Sequence, residues 1–175
     1  MKIPSNIKFN PIVRTIDDKL LAGKKPSITT LKQLKKDGVD AIIDLRPNRQ
    51  WSGVLLEKIK CKIIKIPHYW YPINLAKKMP PLSKFEIINK IIETKNKSFV
   101  HCRSGIHSTN IVCAASTVLR KKKTLSQALE TIFQSNFFYT NPKLNRNKNK
   151  TNIRIKKLER LSQRLSQFAE MFKNY

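Results

Sequence analysis

Residues 98–109, SFVHCRSGIHST, decide the fold of this chain. The first five of them predict a buried strand, and the apolar run from about Ser108 to Leu119 predicts a helix. Between the two, Gly105 permits the backbone angles of a tightly curled loop, because it carries no Cβ. A curled loop at a helix N-terminus presents a row of backbone N–H groups, which bind a tetrahedral anion together with the helix dipole. The stretch therefore predicts an anion-binding loop that begins at Cys102.

Cys102 has a chemical interpretation and a structural one. A thiol at the start of such a loop lies in positive potential, so it is expected to be a nucleophilic thiolate near neutral pH. The alternative is a buried cysteine at a strand end, since free cysteine is among the most buried residue types. His101 before Cys102, with Gly105 and Thr109 after it, favours the reactive loop.

The flanking sequence predicts helices and strands in alternation. Ser27 is a candidate N-cap for a helix that Gly38 ends, and residues 39–45 predict the strand that follows. Residues 54–59 predict a short helix, and residues 62–66 predict a strand that stops at Pro67. A further helix is marked by the apolar residues Leu82, Phe85, Ile88 and Ile92, with Ser83 or a neighbour as candidate cap. Other helices are predicted from about Ser108 to Leu119 and after the candidate cap Thr124. The fold class is therefore α/β, with a central, mostly parallel sheet flanked by helices.

The 175 residues are enough for one sizeable core, so we expect one domain with appendages. Residues 1–135 form the domain, residues 136–150 a basic polar linker, and residues 151–175 a basic amphipathic C-terminal helix. In that helix the apolar residues recur three and four apart, at Leu158, Leu161, Leu165, Phe168 and Phe172. We expect the helix to dock on its own domain, with a coiled-coil partner or an anionic surface as alternatives.

Charge and cysteine usage limit the partners and the compartment. Lys and Arg number 36 against 11 Asp and Glu, and the formal net charge of +25 attracts anionic partners such as nucleic acid, acidic membrane and phosphorylated protein. Cys61, Cys102 and Cys113 show neither metal-type pairing nor an even disulfide set, so a reducing, cytoplasmic location without metal or cofactor is expected. The longest mainly apolar stretch, residues 111–119, is too short to span a bilayer.

The loop resembles the signature of the protein tyrosine and dual-specificity phosphatase superfamily, which is His-Cys, five residues, Arg, then Ser or Thr. Residues 42–46, IIDLR, and residues 20–23, LLAG, are also similar to that family, and the likeness spans about residues 12–135. The resemblance implies a dual-specificity-phosphatase-like fold with Cys102 as nucleophile. His101 would then tune the thiol from behind, and Thr109 would assist thiolate departure. The phosphate would be held by the backbone amides of Arg103, Ser104, Gly105, Ile106, His107 and Ser108.

Two departures from that signature weaken the expected chemistry. The family's phosphate-clamping arginine is Ser108 here, and one neutral hydroxyl replaces two charge-assisted hydrogen bonds. The family's general acid also has no evident counterpart, since Glu86 and Glu93 are the only carboxylates between Cys61 and Cys102 and both lie in a predicted helix. His68, Tyr69, Tyr71 and Asn74 occupy the expected acid loop instead.

Three functions remain open from the sequence. The first is a weakened phosphatase acting on phosphorylated protein or another phosphate monoester through Cys102. The second is a pseudophosphatase that binds phosphorylated partners without turnover. The third is an RNA 5′-triphosphatase-like or RNA-binding member, which a net charge of +25 suits.

Overall fold

The central sheet of the computed structural model has five strands. The structure describes residues 13–75, 79–105, 107–135 and 167–172. The strands are β1 (Val13–Thr15), β2 (Leu20–Lys24), β3 (Ala41–Asp44), β4 (His68–Trp70) and β5 (Ser98–Cys102). Their order across the sheet is β1-β2-β5-β3-β4, and only the β1 pairing is antiparallel. The predicted α/β class with a mostly parallel central sheet is confirmed.

Within residues 13–135, as far as the structure describes them, five α-helices connect and flank the strands. They are α1 (Ile28–Lys36), α2 (Trp51–Ile63), α3 (Leu82–Thr94), α4 (His107–Lys121) and α5 (Leu125–Ser135). Two of the predicted caps are observed, because Ser27 accepts a hydrogen bond from the Thr30 N–H at 3.0 Å and Thr124 accepts one from the Gln127 N–H at 3.3 Å. The predicted cap Ser83 is wrong. It lies inside α3, which begins after Pro81 without a side-chain cap.

The segment between β3 and β4 differs from the prediction. Residues 54–66 were expected to form a short helix and then a strand, but α2 continues to Ile63 and the strand is β4, after Pro67. Val54, Glu57 and Cys61 are buried at intervals of three and four, so the helical period continues through the predicted strand. The helical period is difficult to recognise in the sequence, because the carboxylate Glu57 occupies one of the buried positions and a carboxylate is expected at the surface. Pro67 is tolerated at the strand start because its carbonyl still accepts the Ile42 N–H at 2.9 Å.

Two cores cover the two faces of the sheet. The smaller lies under α1 and α2, and the larger lies under α3, α4 and α5. Phe168 and Phe172 join the larger core, where the Phe168 ring lies 5.7 Å from the Phe85 ring. Residues 167–172, part of the predicted C-terminal helix, therefore pack on the domain, and the helix as predicted for residues 151–175 stays a prediction. The predicted linker 136–150 and residues 151–166 lie outside the described residues, and the domain boundaries stay predictions.

Within the part of the chain that the structure describes, none of the helices is long and apolar enough to cross a lipid bilayer. The cytoplasmic location stays a prediction.

Candidate active site

The candidate site lies at the carboxyl edge of the sheet, where β5 ends between β2 and β3. His101 pairs with Gly23 of β2 and with Asp44 of β3, so the end of β5 has a strand on each side. Residues 103–105 follow β5, and α4 begins at His107. Because the carboxyl ends of parallel strands meet at one edge, this is where an α/β fold places ligands.

Cys102 begins the loop and is 7% exposed. The Gly105 N–H donates to its Sγ at 3.2 Å, so the loop amide is aimed at the sulfur. Gly105 has φ +74°, and a Cβ there would lie 2.5 Å from the carbonyl carbon of Gly23. The loop therefore rests directly on the backbone of β2, and only glycine fits at position 105.

The other predicted loop residues fall into two groups. Arg103, Ser104 and His107 are exposed, whereas Gly105, Ser108 and Thr109 are buried. Ile106 lies outside the described residues. The structure thus brings Cys102, Gly105 and the first turn of α4 together.

The two hydroxyls that begin α4 differ in their surroundings. Ser108 Oγ donates to the Ile73 carbonyl at 3.5 Å, in the segment after β4. Thr109 Oγ1 is fully buried and has no hydrogen-bond partner among the described residues. A buried hydroxyl without a hydrogen-bond partner lowers the free energy of unfolding by about 1–3 kcal/mol. The hydroxyl of Thr109 therefore does not stabilise the fold.

The structure supplies no carboxylate from the segment between β4 and α3. The Tyr71 and Ile73 N–H groups bond the Asp44 and Leu45 carbonyls, which continues the sheet edge beyond β4. His68 and Tyr69, expected in a loop, lie in β4 instead. Glu93 lies in α3, as predicted, and accepts from Asn89 at 3.1 Å. The residue types expected for a general acid are thus absent from this segment of the sequence.

A buried ion-pair network, made of Asp44, Arg46, Glu57, His68 and His101, lies behind Cys102. Arg46 Nη2 bonds Glu57 Oε2 at 3.0 Å, and its Nε bonds Asp44 Oδ1 and Oδ2 at 2.9 Å each. His68 Nε2 lies 3.5 Å from both carboxylates. All five side chains are at most 3% exposed, and their contacts connect α2, β3, β4 and β5. Because a buried charge is costly without an opposite charge beside it, each ionised group depends on its partners.

The charges in the network support one another. Burial opposes ionisation of Glu57, but its contacts with His101 and His68 outweigh burial and lower the pKa of this carboxyl to about 2. Burial likewise opposes ionisation of Asp44, yet hydrogen bonds from His68 and Arg46 hold its pKa well below the usual range. The same carboxylates outweigh burial at His68 and raise the pKa of its imidazole. Both carboxylates are therefore ionised near neutral pH.

His101 connects the network to Cys102. Its Nε2 lies 2.7 Å from Glu57 Oε1, within ion-pair distance, although neither atom has a hydrogen-bond partner of normal geometry among the described residues. Its Nδ1 lies 3.3 Å from the Cys102 carbonyl oxygen. His101 therefore lies between the buried carboxylate of Glu57 and the backbone of Cys102.

The network also contains donor types that hold transition metals. One ligand atom from each of Asp44, Glu57, His68 and His101 lies within 4.8 Å of the others. However, the Arg46 guanidinium pairs with both carboxylates and already supplies positive charge to them. We therefore describe the cluster as an ion-pair network rather than as a metal centre.

Glu57 was missed in the sequence, and His68 was placed in a loop. A signal was present, because Glu57 is the only carboxylate between Asp44 and Glu86 and lies among lysines. Its burial could not be inferred locally, since its partners come from three other elements. Cys61 and Cys113, by contrast, are buried as apolar patterns indicate, and burial raises the pKa of each thiol to about 12.

Solved structures share this architecture. No family model and no curated protein matches the sequence. Tk-PTP in its active form is 19% identical, with a TM-score of 0.60 over 73% of this chain and 86% of that chain. Human DUSP28 is 14% identical, with a TM-score of 0.62 over 94% of this chain and 97% of that chain. The human tyrosine phosphatase-like serine/threonine/tyrosine-interacting protein is 18% identical, with a TM-score of 0.58 over 73% and 86%.

These neighbours align over most of their own lengths. The chain therefore has the fold of the tyrosine and dual-specificity phosphatases.

Proposed function

We propose that this protein binds phosphate monoesters in the loop of residues 102–109 and hydrolyses them slowly through a Cys102 thiolate. The observation that carries the proposal is the 3.2 Å bond from the Gly105 N–H to Cys102 Sγ, at the junction of β5 and α4. An amide aimed at sulfur stabilises a thiolate, and the α4 N-terminus adds positive potential for a bound phosphate.

The reaction would run in two displacements. The Cys102 thiolate attacks phosphorus, the S–P bond forms, and the P–O bond to the leaving group breaks with its electron pair on oxygen. Water then attacks the phosphocysteine, and sulfur leaves as the thiolate. The resemblance gives Thr109 a role in this second step, as the hydroxyl that assists the departing sulfur. The buried Thr109 hydroxyl supports that role because it has no competing hydrogen-bond partner among the described residues.

Two features make the turnover slow. Ser108 offers one neutral hydrogen bond where an arginine would clamp the phosphoryl oxygens, a loss of about 10²–10³-fold by analogy with removal of an oxyanion donor. The absent general acid removes about 10²–10⁴-fold for a poor leaving group. The two losses are not multiplied, since groups in one catalytic unit are not additive. Substrates with good leaving groups are expected to suffer least.

The test is phosphate release from an aryl phosphate with a good leaving group. Natural protein should release phosphate, Cys102→Ser should not, and Ser108→Arg should exceed natural protein by at least about tenfold. Cys113→Ser is the matched control, because this buried cysteine lies within α4 and outside the loop of residues 102–109. Release by Cys102→Ser equal to that of natural protein would contradict the proposal.

A second candidate function is a pseudophosphatase that binds phosphorylated partners. Ser108 supports it, because an anion-binding loop without its clamp can hold phosphate while stabilising the transition state poorly. In that case natural protein binds a phosphotyrosine peptide without releasing phosphate, and only Ser108→Arg shows turnover. If natural protein, Cys102→Ser and Ser108→Arg all fail to release phosphate and natural protein does not bind the peptide, both functions are excluded.

A further inference from the structure

The outward side of α2 carries a row of large apolar side chains. Four of them, Trp51, Leu55, Ile59 and Ile63, are spaced four residues apart, so they follow one side of the helix. Their exposed fractions are 61%, 47%, 49% and 72%, and neighbouring Leu56 is 59% exposed. Single exposed apolar residues are ordinary, but a contiguous row of five is typical of an interaction site.

The helix does not need this row for its own packing. Val54, Glu57 and Cys61 on the opposite side already fill the smaller core and the ion-pair network. The outer row therefore makes α2 apolar on two sides, and in the part of the chain that the structure describes the outer side stays open. A helix that is apolar on a solvent-facing side gains free energy when something covers that side.

Lysines border the row. On a helix of 3.6 residues per turn, Lys58 and Lys62 fall along one margin of the row and Lys60 along the other. The neighbouring α1 adds Lys32, Lys35 and Lys36, and Lys35 Nζ donates to the Lys65 carbonyl at 3.0 Å, which places these ends of α1 and α2 side by side.

Negative charge is scarce on this face. The one carboxylate of α2, Glu57, is 2% exposed and is engaged in the ion-pair network. Asp37, at the end of α1, is exposed and accepts a hydrogen bond from Gln33 at 2.9 Å. The face therefore combines an apolar centre with a predominantly basic margin.

We propose that the outer face of α2, defined by Trp51, Leu55, Leu56, Ile59 and Ile63 with the bordering lysines, docks on an anionic lipid bilayer. The apolar row would lie at the boundary between lipid headgroups and acyl chains, and the lysines would pair with lipid phosphates and carboxylates, as in interfacial amphipathic helices. RNA would use the lysines but gains little from a row of aliphatic side chains. A second protein would cover the row but does not require the basic margin.

The placement of the row orients the molecule on such a surface. A Cβ on Gly53, in the first turn of α2, would lie 3.2 Å from Arg46 Nη1, so this turn lies against the carboxyl end of β3. Trp70, 38% exposed, donates its indole N–H to the Arg46 carbonyl at 2.8 Å at the same edge. Docking would bring this edge of the sheet near the bilayer. The proposal is independent of turnover at Cys102.

Vesicle co-sedimentation of the full chain tests the proposal. We expect binding to vesicles of phosphatidylcholine with about 30 mol% phosphatidylserine and little binding to pure phosphatidylcholine. Leu55→Ser combined with Ile59→Ser should weaken binding at least about tenfold, since two inserted side chains are removed. Ile87→Ser is the matched control, because Ile87 is 50% exposed on α3, on the other face of the sheet.

A second readout reports insertion itself. In a Trp70→Phe background, the fluorescence of Trp51 should shift to the blue on anionic vesicles and stay unchanged with soluble RNA. The proposal is overturned if anionic vesicles are not bound, or if Leu55→Ser with Ile59→Ser binds them as natural protein does. It is also overturned if the same double variant instead abolishes self-association or RNA binding while vesicle binding persists.

Discussion

Two regions meet at His101: the loop of residues 102–109 in front, and the ion-pair network behind. In front, Ser108 stands where the resembled family has an arginine, and the segment before α3 supplies no carboxylate. Behind, each charge of Asp44, Arg46 and Glu57 has an opposite charge in contact. The network joins the strand ends through buried charges, whereas the clamp and the acid of the resembled family act on a phosphoryl group during its transfer. The residues expected to hold the thiol in place are therefore different from the residues expected to stabilise a transition state.

The largest expected effect comes from breaking the contact between the loop and β2. Gly105→Ala combines φ +74° with a Cβ that lies 2.5 Å from backbone, so the loop must move away from Gly23. We expect loss of vanadate binding and a decrease of at least about 3 kcal/mol in the free energy of unfolding.

Gly38→Ala is its control, because Gly38 has φ +82° with nothing within 4 Å of a Cβ. That variant should lose only about 1–2 kcal/mol and keep vanadate binding. Denaturant unfolding and vanadate titration measure both variants. Equal losses in the two would mean that loop packing against β2 contributes nothing.

The next effect breaks the network while leaving the loop sequence intact. Glu57→Gln removes one charge from Arg46 and the carboxylate that faces His101, so about 3–5 kcal/mol of unfolding free energy should be lost. Because His101 then loses the carboxylate that holds it behind Cys102, alkylation of Cys102 by iodoacetamide near neutral pH should slow about tenfold.

The matched control is Glu93→Gln on the exposed surface of α3, which should change neither quantity by a measurable amount. Slower alkylation with unchanged stability would still support positioning of His101. Lower stability with unchanged alkylation would show that the network only holds the fold.

The pH dependence of stability sharpens the comparison. Glu57 has a pKa of about 2 in the fold and 4.5 as its ordinary value, so its contribution is present above pH 4.5 and is lost as the pH falls towards 2. This acid limb should amount to about 2–3 kcal/mol. Asp44 acts in the same direction.

His68 acts in the opposite direction, because its pKa is raised from 6.5. Its contribution is complete below that value and is lost as the pH rises through the higher pKa of the folded state. Maximum stability is therefore expected near pH 5–6. Denaturant unfolding across the pH range measures both limbs, and His68→Asn should flatten the alkaline one. An alkaline limb that persists in His68→Asn would assign it to another group.

The smallest effect on stability is expected at Thr109, in the loop. Thr109→Val removes a buried hydroxyl without a described partner, so the free energy of unfolding should rise, by about 1 kcal/mol. Under the proposed function, dephosphorylation of the cysteine slows and a phosphorylated enzyme accumulates, which intact-mass measurement after brief exposure to substrate detects. Thr117→Val is the control, since that hydroxyl donates to the Cys113 carbonyl within α4 and is remote from the loop. No accumulation would remove Thr109 from the reaction.

The sequence predicted the parts of the site that depend on neighbouring residues. The strand of β5, the glycine of the loop and the helix α4 follow one another within residues 98–121, and each has a local cause in burial, backbone freedom or helical period. The predictions for the end of α2 and for the position of the next strand were wrong, because the polar side chain of Glu57 points into the protein. Its burial is stabilised by Arg46, His68 and His101, whose separation in the sequence gives no local signal.

By itself, then, the sequence determined a strand, a short loop that contains glycine, and a helix, together with a strongly basic chain, because these depend on local pattern and composition. Only the tertiary structure decided that His101 lies between Cys102 and a carboxylate, that Ser108 turns to the Ile73 carbonyl, and that the outer row of α2 stays uncovered. Those facts depend on which distant elements meet, and burial of a charge is stable only once its partners have been brought to it.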